Sequence, residues 1–205
     1  MKRLSSDALC RGAVLALPRG QARLRGHLRP DGTLEITVTL PYRAAYGMGE
    51  KYDVLNQKGR AVCNQVEEKF CFQGEKTYCP APFFWTDSGF GLYADTREAT
   101  HFFFEEGQIR LFLPAGCEVV LCSGAPAQII RDYLSLFGPV RLPPKWAFGP
   151  WVSANHWDSQ QKVLQVVREL EALHCPAPVL VAEAWSDEAT FYIFRGARFT
   201  PKDGG

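Results

Sequence analysis

The most distinctive hydrophobic pattern lies between Leu142 and Glu188, where two apolar runs flank an amphipathic segment. The runs Trp146–Val152 and Val179–Ala182 contain no alternating polar residues, which indicates strands covered on both faces. Between them, apolar residues recur at helical spacing: Val163, Val166, Val167, Leu170 and Leu173. We expect Asp158 and Gln161 to cap this helix. Two buried strands joined by a helix predict a parallel βαβ unit with a right-handed crossover.

The chain between residues 12 and 122 has the period of β-strands. Thr33–Leu40 alternates strictly after a Pro30-Asp31-Gly32 turn, and Leu24–Leu28 is its expected hairpin partner. Further short runs, separated by Gly, Asp or Pro, are Gly89–Tyr93, His101–Phe104, Gln108–Leu113 and Glu118–Cys122. Short strands at this spacing predict a β-sandwich.

A long polar segment, Tyr46–Tyr78, interrupts these strands. A loop of this length inside a compact domain is usually functional or disordered, and its aromatic and amide content favours a functional loop. Asp53, Asn64 and Glu67 are its candidate ligand contacts. The Gly47-Met48-Gly49 run does not predict a phosphate loop, because it lacks a third glycine and a strand-to-helix context.

A helix is predicted after the strands, from Pro126 to the Gly138-Pro139 pair. Its expected buried stripe is Ile129, Ile130, Tyr133, Leu134 and Phe137. The predicted organisation is therefore a sandwich over residues 1–125, a linking helix and Pro-rich connector over 126–143, and a second domain over 144–205.

The composition is that of an ordinary soluble protein, with 46% hydrophobic residues and a net charge of +1. It gives no indication of a nucleic-acid partner, and no stretch predicts a signal peptide or a membrane span, so we expect a cytoplasmic protein. The seven cysteines form no CxxC pair. Reduced thiols are expected, with no metal site and no cofactor.

Polar and aromatic residues follow both strands of the predicted βαβ unit. Asn155 and His156 come after the first strand, and Glu183, Trp185 and Asp187 come after the second. In parallel α/β folds ligands lie at the carboxyl ends of strands, and aromatic rings mixed with carboxylates and amides are typical of sugar sites. Solvated loop residues or partners of a helix dipole are the alternative interpretation.

Four segments of the chain, in the same order, resemble segments of glycoside hydrolase family 31. They are YGMGEKYDVLNQKG, PAPFFWTDSGFGLYAD, RDYLSLFGPVRLPPKWAFGPW and SQQKVLQVVRELEALHCPAPVLVAEAWSDEATFYIF. The resemblance implies a mixed β and α/β fold. Its parts are an N-terminal, galactose-mutarotase-like β-sandwich and the incomplete start of a (β/α)8 TIM barrel. It also implies a retaining α-glycosidase, in which Glu183 stands where many members have an aspartate that binds sugar hydroxyls.

In this family the nucleophile and the acid/base are aspartates of later barrel strands, so no catalytic residue is assigned here. The resemblance implies an α-glycoside substrate, and residues 1–205 alone are expected to be inactive. Neither a nucleic-acid nor a membrane partner is expected, and association into a homo-oligomer stays open. The alternative hypothesis is a non-catalytic carbohydrate-binding or subunit-interaction module whose working part is the sandwich.

Overall fold

The computed structural model describes residues 1–67, 74, 76–154 and 159–182. The chain divides between Val140 and Arg141 into two compact units, which are taken separately below. Among the helices of the described residues, none is long and apolar enough to cross a membrane.

The first unit contains, in its described part, eleven strands that pair antiparallel in two sheets. One sheet has the order β1-β11-β8-β7-β5, where β1 is Lys2–Leu4, β11 is Glu118–Ser123, β8 is Phe90–Asp95, β7 is Pro80–Thr86 and β5 is Ala45–Gly49. The other has the order β2-β3-β4-β10-β9-β6, where β2 is Ala13–Leu17, β3 is Gly20–Leu28, β4 is Thr33–Thr39, β10 is Gln108–Pro114, β9 is Thr100–Glu105 and β6 is Ala61–Asn64. The predicted β-sandwich is confirmed.

The core lies between the two sheets and follows the sequence alternation. In β4, Leu34, Ile36 and Val38 are fully buried, as their positions on one face of the strand predict. The ring of Phe84, from the opposite sheet, meets the Phe104 ring edge-on, with centroids 5.3 Å apart. Inward-facing aromatic and branched residues of both sheets thus form one apolar layer.

The predicted strands are present with small shifts in their ends, but the predicted loop Tyr46–Tyr78 is partly wrong. Its first residues belong to β5, and Ala61–Asn64 forms β6, which pairs with β9 at the edge of the six-stranded sheet. Neither strand shows a clear alternation of apolar and polar residues in the sequence. Strand β5 contains two glycines, and strand β6 is only four residues long. Residues 50–60 connect β5 to β6, and residues 65–79 connect β6 to β7, although 68–73 and 75 lie outside the described residues.

A short helix, α1 (Ser6–Arg11), was not predicted from the sequence. Ser5 caps it, because its side-chain oxygen accepts a hydrogen bond from the Ala8 N–H at 3.4 Å. Leu9 is fully buried and lies against Gly26, where a Cβ would come within 3.0 Å of the Leu9 Cβ. This short helix thus contributes Leu9 to the sandwich core.

The second helix, α2 (Pro126–Leu134), packs on the outer face of the five-stranded sheet. Ile129 is buried there, and the Tyr133 ring stacks on Phe83 with centroids 3.9 Å apart. The predicted stripe is wrong for three residues, because Ile130, Leu134 and Phe137 are exposed. A single helix on a flat sheet covers only one narrow row, here Ile129, Tyr133 and Leu136.

The second unit contains a parallel βαβ arrangement. Strand β12 (Trp151–Ala154) pairs in parallel with β13 (Val179–Ala182), and helix α3 (Gln160–Ala172) lies between them in sequence. The predicted helix and the predicted second strand are confirmed. The parallel pairing of the two strands is confirmed as well. The continuation into a TIM barrel stays a prediction.

Three details of this unit differ from the sequence prediction. Residues Lys145–Phe148 form a 3-10 turn instead of strand, closed by hydrogen bonds such as Ala147 N–H to the Pro144 carbonyl at 3.0 Å. Ser159 caps α3 instead of Asp158, which lies outside the described residues. Leu173 is 76% exposed, because the helix ends at Ala172 before its stripe is completed.

Candidate functional site

Two adjoining cavities lie along segment 50–60, which connects β5 of one sheet to β6 of the other. Their volumes are about 260 and 800 Å³, and both are lined by Lys51, Asp53 and Gln57. We call the smaller one the ionic cavity, whose other charged lining residues are Arg60, Glu67 and Lys76. We call the larger one the aromatic cavity, lined also by Tyr46, Tyr52, Val54, Leu55 and Trp85.

A bulge at the end of β5 directs the chain into this segment. Gly47, Met48 and Gly49 all have positive φ, of 118°, 72° and 81°. Positive φ is unusual for a residue with a side chain, and Met48 is held there with its side chain fully buried in the core. The bulge ends where the Glu50 N–H donates to the Cys79 carbonyl at 3.0 Å.

Hydrogen bonds from two amide side chains fix the rest of the segment. The Asn56 Oδ1 accepts from the Ala45 N–H at 3.0 Å and from the Lys58 N–H at 3.1 Å. Gln57 is buried, its N–H donates to the Ala45 carbonyl at 2.8 Å, and its Nε2 donates to the Val54 carbonyl at 2.9 Å. The floor shared by both cavities is therefore preformed.

Opposite charges line the ionic cavity. The Arg60 guanidinium pairs with the Asp53 carboxylate, and Lys76 pairs with Glu67. The Asp53 Oδ1 also accepts from the Val54 N–H at 2.7 Å. The Arg60 Nε is buried and has no hydrogen-bond partner among the described residues. A buried donor of this kind is available to a hydroxyl group or to water.

The aromatic cavity offers flat apolar surface beside polar groups. Tyr46 and Trp85 are register partners of β5 and β7, and their ring centroids are 4.5 Å apart with planes tilted by 34°. Tyr52 is 53% exposed and donates to the Glu50 Oε2 at 3.3 Å. Desolvation and then the Glu50 carboxylate raise the pKa of Tyr52. Such a surface suits the apolar face of a sugar ring.

Of the three sequence-predicted contacts in this region, two line a cavity. Asp53 and Glu67 do so, whereas Asn64 is buried on the inner face of β6. Asn64 Oδ1 and the Oγ1 of its register partner Thr100 are buried without a hydrogen-bond partner among the described residues. Asn64 therefore contributes to the sandwich interior, and its prediction as a ligand contact is wrong for this geometry.

The predicted substrate-binding residues Asn155, His156, Glu183, Trp185 and Asp187 all lie outside the described residues. The structure does place the residues that precede them. Ala154 and Ala182, the last residues of β12 and β13, are register partners in the parallel pair. The five residues stay predictions.

Sequence reasoning missed the contribution of Arg60, Tyr46 and Trp85. Trp85 has the same apolar sequence context as Phe83 and Phe84, but only these two phenylalanines are buried. The pairing of Tyr46 with Trp85 depends on the register of two strands distant in sequence, which no local pattern reveals. The Pro80–Thr86 run, with apolar residues on both faces, was the signal for a strand with a second packed face.

The described residues contain no group of three or more His, Cys, Asp or Glu side chains placed to hold a metal ion. The six cysteines within the described ranges form no disulfide: Cys10, Cys63, Cys79, Cys117, Cys122 and Cys175. The residues that line the two cavities offer hydrogen bonding, ion pairing and aromatic contact.

Comparison with models of known protein families gives no match for the chain. Comparison with curated proteins does find similar sequences. The chain is 33% identical over 175 residues to an isomaltosyltransferase from Sporosarcina globispora, covering 78% of this chain and 16% of the relative. It is 31% identical over 169 residues to a 1,3-alpha-isomaltosidase from Kribbella flavida, covering 78% of this chain and 23% of the relative.

A solved structure is also similar to the chain. It is a cycloalternan-degrading enzyme from Trueperella pyogenes in complex with cycloalternan, with 29% identity and a TM-score of 0.70. The match covers 82% of this chain and 25% of that one. The chain thus spans a quarter or less of the length of each of these three proteins.

Proposed function

We propose that this chain, whose curated relatives and structural neighbours are enzymes of glycoside hydrolase family 31, forms the N-terminal part of an α-glycosidase of that family. The observation that carries the proposal is the 33% identity over 175 residues. The confirmed sandwich followed by a parallel βαβ unit supports it, because the same order of elements was expected from the family resemblance.

The proposed substrates are oligosaccharides of α-linked glucose that contain isomaltose units. The names of two curated relatives contain isomaltose, and the matched solved structure holds cycloalternan. The aromatic cavity supports this class, since paired aromatic rings beside a carboxylate and an amide bind sugars through their apolar faces and hydroxyls.

Hydrolysis would follow the retaining mechanism, with two carboxylates roughly 5 Å apart and a covalent glycosyl intermediate. We assign neither carboxylate within residues 1–205, as the family resemblance implies aspartates of later barrel strands. Glu183, Trp185, Asp187, Asn155 and His156 are the proposed sugar contacts of the second unit. The described residues of segment 50–60 are the proposed contacts of the first unit.

Binding of isomaltotriose to the full chain tests the role of the aromatic cavity. Trp85→Ala should weaken binding about tenfold, because it removes one of the two neighbouring aromatic rings that line the cavity. Phe148→Ala is the matched control, since that ring is 72% exposed and lies in the second unit. Calorimetric titration measures the affinities. Equal affinity of both variants for isomaltotriose would contradict the role of the aromatic cavity, and so would the absence of binding by the unaltered chain.

Two further measurements test the place of this chain in an enzyme. The 205-residue chain should not hydrolyse isomaltose or nitrophenyl α-glucoside, and turnover that survives removal of contaminants would overturn that expectation. The polypeptide isolated from its own source should be much larger than 23.0 kDa, because the relatives are several times longer than the matched segment. A native mass near 23.0 kDa would argue against a catalytic role.

A non-catalytic carbohydrate-binding module is the second candidate. It is favoured by one observation, that all described residues of both cavities belong to the first unit. Limited proteolysis separates the two: a stable core trimmed to about residue 143 fits the enzyme, and resistance along the whole chain fits a self-sufficient module.

The proposal also includes a cytoplasmic location, which follows from the sequence expectation alone. Fractionation of source cells checks it, and recovery of the protein from the medium would contradict it. The sequence leaves open whether the chain forms a homo-oligomer. Light scattering of the purified chain measures its oligomeric state directly.

A further inference from the structure

The outer face of the six-stranded sheet carries a row of basic residues on β3. Because side chains alternate along a strand, Ala22, Leu24 and Gly26 face the core while Arg23, Arg25 and His27 face outward. Arg11, at the end of α1, lies at the border of the same surface. This face is remote in sequence and in sheet position from segment 50–60, which enters the opposite edge strand β6.

The arginines of this face fall into two classes. Arg29 pairs with Glu35 through contacts of 2.6 and 2.9 Å, and Arg110 pairs with Glu105. Arg23 and Arg25 instead have the neutral Thr39 and Thr37 as their register partners on β4. Among the described residues, no carboxylate oxygen lies within 4.0 Å of the Arg11, Arg23 or Arg25 guanidinium. Among the described residues these three cations have no counter-charge, and the only side-chain acceptor at Arg23 is the neutral Gln21, whose oxygen accepts from the Arg23 Nη2 at 2.8 Å and from its Nε at 3.0 Å.

The three cations line a groove of about 790 Å³, which we call the arginine groove. Apart from Glu35, the remaining lining residues are uncharged or histidine: Gly12, Ala13, Val14, Leu24, His27, Thr37 and Thr39. Glu35 is the one carboxylate in the lining, and it is already bound to Arg29. A concave surface with several cations and no available carboxylate focuses positive potential on whatever enters it.

We propose that the arginine groove binds a segment of an anionic polysaccharide. Guanidinium groups match the geometry of sulfate, phosphate and carboxylate groups, to which they donate paired hydrogen bonds. Arg23 and Arg25 are two positions apart on one strand, so they repeat at about 7 Å, a spacing that suits charges carried at intervals along a chain. The hydroxyls of Thr37 and Thr39 lie opposite them and can bond sugar hydroxyls.

Other polyanions fit this groove less well. Its lining contains no Phe, Tyr or Trp side chain on which the bases of a single-stranded nucleic acid would stack. Its one exposed large apolar residue is Val14, whereas acidic peptides gain most affinity from apolar anchors in pockets. The cations line a concavity bordered by α1 and β2, where a flat bilayer makes poor contact. A flexible, hydroxyl-rich polyanion remains the best match.

Binding of dextran sulfate, compared with neutral dextran of equal length, tests the proposal on the full chain. The unaltered chain should bind the sulfated polymer with an affinity that falls steeply between about 50 and 200 mM salt, and Arg23→Ala/Arg25→Ala should weaken it about tenfold or more. The matched control is Arg43→Ala/Arg97→Ala, which removes the same charge from exposed arginines outside the groove. Circular dichroism confirms that both variants are folded.

Arg25→Lys keeps the charge but not the paired donors, so it should bind with intermediate affinity. Equal affinity of the two double variants would overturn the proposal, and so would the absence of binding by the unaltered chain. Tighter binding of an oligothymidylate or of polyglutamate than of dextran sulfate would assign the groove to another ligand. Because neutral isomaltotriose and the aromatic cavity are not involved, this result is independent of the proposed α-glycosidase function.

Discussion

The two units of this chain use similarly clear hydrophobic patterns with different results. In the sandwich, the inward residues of β4 and the ring of Phe84 are completely buried. In the second unit, Ala154 is the only buried residue among those described, and α3 buries none, although its apolar stripe is at helical spacing. The residues of that stripe, Val163, Val166, Val167 and Leu170, are only half-buried.

This difference in burial shows that the sequence periodicity of an element and the stability of that element have separate origins. Periodicity determines that a segment forms a helix or a strand and which face turns inward. Most of the stability of a helix in a protein comes from the surface that covers its apolar face. In the sandwich that surface is the opposite sheet, and the expected stability of this unit is correspondingly higher than that of the βαβ unit.

The largest expected difference between the two units is in the stability lost when one aromatic ring is removed from each. Phe84→Ala should lower the free energy of unfolding by about 3–5 kcal/mol, because it leaves a cavity among Phe90, Phe102 and Phe104. Phe148→Ala, in the second unit, should change it by less than about 0.5 kcal/mol, since that ring is exposed. Denaturant titrations measure both, and equal losses would remove the contrast between the units.

A smaller effect is expected from two glycines that share a φ of 81° but differ in their surroundings. A Cβ at Gly49 would overlap the carbonyl oxygen of Cys79, the residue that precedes β7, whereas nothing lies within 4 Å of a Cβ at Gly59. Gly59→Ala should cost about 1 kcal/mol for the left-handed backbone alone, and Gly49→Ala about 2–4 kcal/mol. Comparable midpoints in urea for both variants would mean that β5 is not tightly packed against β7.

Two helix caps of the same chemistry sharpen the comparison further. Ser5 and Ser159 each accept a hydrogen bond from the N–H three residues later, at 3.4 Å in both cases. Replacing either serine by alanine should destabilise its helix by about 1 kcal/mol. Because Leu9 ties α1 to the core, Ser5→Ala should shift the global unfolding of the sandwich.

Ser159→Ala should instead speed amide hydrogen exchange in α3 and leave the sandwich transition unchanged. A shift of the sandwich transition by both variants would indicate that the two units unfold as one. A failure of exchange in α3 to respond would indicate that Ser159 does not cap the helix in solution.

The elements that could be predicted from sequence are those with a long and regular pattern. The alternation of β4 and the stripe of α3 are examples, and both were found with nearly correct ends. The Trp146–Val152 strand was misjudged because apolar composition alone does not distinguish a strand from a 3-10 turn, and Pro150 has no N–H for strand pairing. The strands β5 and β6 were taken for loop because glycine and shortness hide their period.

The candidate site was harder to predict for a different reason. Asp53 and Glu67 were found because carboxylates in a long polar segment are conspicuous. Tyr46 and Trp85 come together only through the antiparallel register of β5 and β7, and the arginine groove depends on which residues of β4 lie opposite β3. Register is a property of the folded sheet that is set by contacts distant in sequence.

Sandwich stability is also expected to depend on alkaline pH. Burial, and then the charge of Asp132, raise the pKa of the Cys122 thiol from 9.0 to about 11. The folded state therefore holds the thiol proton above pH 9, where the unfolded chain loses it, so the free energy of unfolding falls as pH rises from 9 towards 11. Burial also raises the pKa of Cys117 to about 11, and the raised phenol of Tyr42 contributes only above pH 10.

Between pH 9 and 10 the two buried thiols dominate this loss among the groups with raised pKa values. Cys122→Ala should therefore flatten the stability profile in that interval, by an amount comparable to that of Cys117→Ala. Cys175→Ala is the control from the second unit, because that thiol is exposed. Urea titrations at closely spaced pH values measure the slopes, and a profile that is as steep without Cys122 as with it would show that this thiol ionises equally in the folded and unfolded chain.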